Sequence, residues 1–205
     1  MPTGLLSSFG HALRGLVEVT ARERNMKLHV LAGTAVGLVG AEVMLPVAAR
    51  LALLFAVMLV IAAEMGNSAL EALVDLYTRD VREDARRAKD AAAGGVLVLA
   101  VGAVLLAAAV VVANREAVLQ ALQHRGVQFV LAAGVLLLEG FLLFGGSGSG
   151  SGRSAVLDGV ASAVGALLLS FLWIDGLSGA LSFTAALLFA LAAASATFSR
   201  ARIGA

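Results

Sequence analysis

Apolar residues along this chain come in long, nearly unbroken runs separated by short polar or charged stretches. Residues 5–20 differ, carrying Leu5, Leu6, Phe9, Leu13, Leu16 and Val17 at helical spacing with His11, Arg14 and Glu18 between them. That alternation predicts an amphipathic helix lying at a membrane surface, since the apolar face is too often interrupted to span a bilayer. A cleavable signal peptide is not expected there, because no compact apolar core with a small-residue cleavage site follows. Six longer runs then predict six membrane spans, over residues 28–45, 50–73, 91–113, 126–144, 155–174 and 178–198, each near the ~20 residues that cross the hydrocarbon. Glu42, Pro46 and Arg50 mark the first turn, residues 114–125 read as a polar connector, and the Gly/Ser stretch 145–154 as a flexible linker.

Composition agrees with a membrane protein: 60% of the 205 residues are hydrophobic and 14% charged, against roughly half and a quarter in soluble domains. The apolar runs do not alternate in polarity, which excludes a β-barrel, so the fold expected is all-α and integral to the membrane. Cysteine is absent, which removes disulfides and thiolate metal sites. With both chain ends in the cytoplasm, six crossings place twelve of the fifteen Lys and Arg residues inside, leaving Arg50, Arg115 and Arg125 outside. Nothing in the charge distribution suggests a nucleic-acid partner.

One stretch combines membrane-like hydrophobicity with chemistry. Glu64, Asn67, Glu71 and Asp75 fall at about 0°, −60°, −20° and +20° on a helix, a single polar stripe at the end of the second span. An arginine-rich loop follows, and Lys89 and Asp90 stand at the start of the third span. Ionisable residues at membrane depth are costly and usually functional. Glu23, among Arg22, Arg24 and Lys27 ahead of the first span, lies at a depth similar to Glu71, and two such carboxylates suit Mg²⁺, which takes one or two of them with phosphate oxygens and water. Glu64, deeper in its apolar run, is desolvated and suits a general base. Lys89 and the loop arginines are phosphate donors of the point-charge and forked kinds. Together these parts suit phosphoryl transfer to a hydroxyl presented from the bilayer. The Walker motif GxxxxGK[ST] does not occur, so the nucleotide site is of another design.

In order and spacing, ERNMKLH (23–29), EMGNSALEALVDL (64–76) and RRAKDAAAG (86–94) resemble the small prokaryotic diacylglycerol kinase and undecaprenol kinase family. The resemblance spans about residues 7–113. It implies a lipid kinase unit over residues 1–113, made of a surface helix and three spans, assembled as a homotrimer in the prokaryotic inner membrane with its site facing the cytoplasm. The implied reaction moves the γ-phosphate of ATP, with Mg²⁺, to a membrane lipid alcohol. By position, Glu64 corresponds to the proton acceptor and Glu23 and Glu71 to metal ligands. Asn67, Asp75, Asp80, Val81, Arg82, Lys89, Asp90 and His11, with Glu23 and Glu71, correspond to nucleotide-contacting positions, and Arg14 with Glu64 to the lipid side. Gly4 stands where part of the family carries a basic residue. ERNMKLH and AKDAAAG look more like the undecaprenol kinase branch, which favours undecaprenol over diacylglycerol. Residues 114–205 form a hydrophobic extension with three predicted spans and no such resemblance. In it, Glu139, Asp158 and Asp175 are expected to cap helix ends or reach the interface. A chain ending at Asn114 is expected to remain an active kinase. Two other readings fit six spans with buried carboxylates: a small proton- or cation-coupled transporter, and a non-catalytic membrane scaffold.

Overall fold

A computed structural model of the protein describes residues 4–78, 82–145, 160–169 and 180–203, and among these every regular element is a helix. In chain order they are α1 (Leu5–Arg22), α2 (Arg24–Glu42), α3 (Val47–Tyr77), α4 (Glu83–Ala113), α5 (Arg115–His124), α6 (Gly126–Phe144), α7 (Val160–Leu169) and α8 (Ala180–Ile203). A helix is present where the amphipathic one was expected, with Leu5, Leu6 and Phe9 exposed and its last turns, at Thr20 and Ala21, buried. Glu23 alone separates α1 from α2; its backbone is extended (φ −86°, ψ 122°) and its N–H donates to the Val19 carbonyl.

By length and composition, four helical segments among the described residues could cross a membrane: α3, α4, α6 and residues Leu181–Ser199 of α8. Six were expected; one of those differs and another lies largely outside the described residues. The first, α2, is 19 residues long but carries Arg24, Lys27, His29 and Glu42 near its ends and glycines within. Its low hydropathy is explained by its neighbours: α1, α3, α6 and α8 all pack on it, so protein covers what lipid would otherwise face. The fifth falls on residues 155–174, of which only the ten of α7 are described. Most of the Gly/Ser linker, residues 146–154, also lies outside the described residues, as do Asp158 and Asp175.

Two further corrections concern length. The stretch 114–125 is not a plain connector but a helix, α5, because Ala117, Val118, Ala121 and Leu122 fall on one face. Helices α3 and α4 each have 31 residues, about 46 Å at 1.5 Å per residue, against ~30 Å of hydrocarbon. Their paired ends therefore project by about ten residues each. Arg86 and Arg87, expected in a loop, stand instead on the projecting start of α4.

The extension folds back onto the family-like half. Leu181 clusters with Val43, Leu45 and Leu53, while Leu188, Leu191 and Ala192 cluster with Met26 and Val30, so α8 runs antiparallel to α2. The contact is close: a Cβ on Gly37 would lie 2.8 Å from the Leu181 carbonyl oxygen, and one on Gly33 would lie 2.8 Å from Leu188 and Val57 side chains. Polar contacts also join the halves among the described residues. Glu42, 2% exposed, accepts from the Arg125 guanidinium at 2.9 Å, and Glu139, 0% exposed, lies 2.8 Å from the Thr34 hydroxyl. Glu139 thus neither caps a helix end nor reaches the interface, because it sits inside α6 and faces α2.

Candidate active site

The carboxylate site lies at the end of the bundle where α1 passes into α2 and where α3 and α4 project. Counting 1.5 Å per residue from Val47, Glu64 stands about 26 Å along α3, near the edge of a ~30 Å hydrocarbon layer. Its side chain is 1% exposed, and its Oε2 is buried without a hydrogen-bond partner. Glu23 and Glu71 are near enough for their charges to act on it. Glu23 comes from the joint between α1 and α2, where the extended backbone frees its side chain from either helix and the positive end of α2 favours its charge. Glu71 lies seven residues beyond Glu64, two turns along the same face of α3. Between them, Asn67 donates to Glu71 Oε1 at 2.9 Å, while its own Oδ1 is buried and unpartnered.

The expected stripe is therefore real, and α2 brings Glu23 to it. Two buried acceptor oxygens, Glu64 Oε2 and Asn67 Oδ1, face no donor. Such atoms are costly unless a hydroxyl, a cation or water completes them. Among the described residues no three His, Asp or Glu side chains form a metal-binding group. An all-oxygen pair such as Glu23 and Glu71 fits an ion that takes one or two carboxylates and fills its remaining positions from phosphate and water.

One turn nearer the tip of the hairpin, Lys89 of α4 reaches across to Asp75 of α3, Nζ to Oδ1 at 2.5 Å. This pair joins the two projecting helices and holds an ammonium beside the carboxylate stripe. Asp90 is turned away from it, accepting from Arg86 at 2.8 Å, and Arg86 and Arg87 both pair with Glu83. The i, i+3 and i, i+4 spacing of Glu83 and these arginines signals this network in the sequence. Ser68, whose buried Oγ has no partner beside the stripe, is marked by no spacing rule. Arg82 forms the N-cap of α4 and lines a 450 Å³ cavity with Tyr77 and Asp84. Asp80 and Val81 lie outside the described residues. His11 and Arg14 are exposed on α1, twelve and nine residues before Glu23, and are not part of the cluster.

The arrangement sets a buried carboxyl near two others, with an ammonium at the more exposed end. Residues 10–111 match the family described as prokaryotic diacylglycerol kinase. A diacylglycerol kinase of Synechocystis is 38% identical over 103 residues, 50% of this chain and 59% of that protein. An undecaprenol kinase of Bacillus subtilis is 39% identical over 94 residues, 46% of this chain and 76% of that protein. The chain thus spans just under three-fifths of the first relative's length and about three-quarters of the second's. No solved structure matches it.

Proposed function

The chain belongs to the prokaryotic diacylglycerol kinase family, a family of lipid kinases, and from that premise we propose that it transfers the γ-phosphate of ATP to a membrane lipid alcohol, undecaprenol before diacylglycerol. The observation that carries the reading is Glu64, a buried carboxyl with one unpartnered oxygen, near enough to Glu23 and Glu71 for their charges to act on it.

Glu64 takes the proton of the lipid hydroxyl as that oxygen bonds to the γ-phosphorus and the bond from phosphorus to the ADP oxygen breaks. Glu23 and Glu71 would hold Mg²⁺, which would supply neutralisation of charge on the phosphates. Asn67 orients Glu71 through their hydrogen bond. Lys89 exchanges its partner Asp75 for phosphate oxygens, Asp75, Asp90 and Arg82 contact the nucleotide, and Asp80 and Val81, outside the described residues, are assigned to it by the family resemblance alone. His11 and Arg14, exposed on α1 outside the carboxylate cluster, are assigned to the nucleotide and to the lipid by the family resemblance alone. On this reading residues 1–113 form the kinase unit, a homotrimer in the inner membrane with the carboxylates facing the cytoplasm, and residues 114–205 are an added unit.

The test is transfer of labelled γ-phosphate by the purified full-length protein, offered undecaprenol and diacylglycerol in parallel. Phosphorylated lipid that disappears on chelation of Mg²⁺ is the expected result. Transfer to neither lipid by a folded, Mg²⁺-supplied preparation would refute the reading.

A further inference from the structure

At the end of the bundle opposite the carboxylates lies a cavity of about 310 Å³, at the small end of the range for ligand sites. Its walls are apolar side chains from both halves of the protein: Val39 of α2, Leu53 of α3 and Val110 of α4 meet Val118 of α5 and Phe129 of α6. Three further features give it an occupant. It opens sideways at membrane depth, since Val39, Val111 and Leu122 on its rim are each about half exposed. It is also aligned with the reactive site. Leu53 precedes Glu64 by eleven residues, within about 20° on the same face of α3 and about 16 Å away along the axis, which matches the depth of one leaflet, half of a ~30 Å core. Finally, the surface between the two is apolar. The direct stripe on α3 is filled where Val57 lies against Gly33 and Leu188, but α4 packs on α3 and scarcely meets α2. On α2 the exposed residues Leu28, Ala32 and Val39 share one face, and Val39 lines the cavity.

We propose that this cavity receives the far part of the hydrocarbon chain of the lipid alcohol whose hydroxyl lies at Glu64, so that the extension makes the protein select a long polyprenol. The inference rests on the lipid-kinase reading and adds the chain-length class of the substrate. Acyl chains of ordinary diacylglycerol end at about the depth where the cavity begins. A polyprenyl chain much longer than one leaflet has length left to enter it and make dispersion contacts with its apolar walls.

The test compares the full-length protein with Ala107→Phe and Leu122→Trp variants, which fill the cavity from α4 and narrow its mouth from α5. Polyprenols of graded length are offered with Mg²⁺ and ATP, and thermal unfolding in detergent checks that each variant folds. The long-over-short ratio of kcat/KM is expected to fall about tenfold in the variants; an unchanged ratio in folded variants overturns the proposal. A long-chain prenol carrying a photoreactive group at its far end supplies a readout without turnover. Crosslinks at Val118 or Phe129, competed by undecaprenol and not by phospholipid, support the proposal even if no phosphate is transferred. Crosslinks elsewhere, or equal competition by phospholipid, overturn it while leaving the kinase reading intact.

Discussion

At the scale of single residues the site turns on how few partners Glu64 has. Changing it to glutamine keeps the shape and removes the proton acceptor, so Glu64→Gln is expected to lower phosphate transfer by a factor of about 10² or more, with detergent melting and oligomer size unchanged. Residual transfer near the wild-type rate would remove Glu64 from its role. The stripe itself was legible because 100° per residue places Glu64, Asn67, Glu71 and Asp75 together whatever surrounds them. Glu139 was not legible, because its partner lies 105 positions away on α2. The Thr34 hydroxyl has one hydrogen and two oxygen neighbours, Val30 O at 3.1 Å and Glu139 Oε1 at 2.8 Å. Thr34→Val leaves a fully buried carboxyl without that neighbour and is expected to destabilise the protein by about 1–3 kcal/mol. Glu139→Gln, which keeps both a donor and an acceptor in place, should cost less than about 1 kcal/mol. Denaturation in mild detergent distinguishes the two.

Elements were legible where hydropathy alone defines them and misread where protein replaces lipid as the neighbour. Helices α3, α4 and α6 follow their apolar runs, and the excess of α3 and α4 was hidden because their charged ends read as a loop. Helix α2 looked like an ordinary span but is a packed centrepiece whose small residues suit close helix contact. At Gly37 an added methyl meets the backbone of α8, which cannot move aside as a side chain can. Gly37→Ala is therefore expected to destabilise by about 1–3 kcal/mol. Gly102→Ala on α4, where nothing lies within 4 Å of the new methyl, should stabilise by about 0.5–1 kcal/mol. Opposite shifts in melting temperature check the pair, and equal shifts would mean that α8 does not press on α2 as described.

For the whole molecule, the sequence divides readily into a half with a family resemblance and a half without, but it does not show that the second half covers the first. All four residues of the carboxylate cluster, Glu23, Glu64, Asn67 and Glu71, belong to residues 1–113, so a chain ending at Asn114 retains them. It also bares Thr34, Glu42 and the glycines of α2 to lipid, leaving Glu42 without Arg125. Such a truncation is expected to keep some transfer while melting at least about 5 °C lower; a melting temperature equal to that of the full chain would mean that α8 contributes nothing to stability. The glycine at 37, whose added methyl would meet only α8, can then be read as an imprint, the negative of α8 pressed into the family-like half. A kinase of this family built without the extra helices has no reason to keep that hollow and should carry an ordinary side chain there. Grafting residues 114–205 onto it would fail until the hollow was carved first.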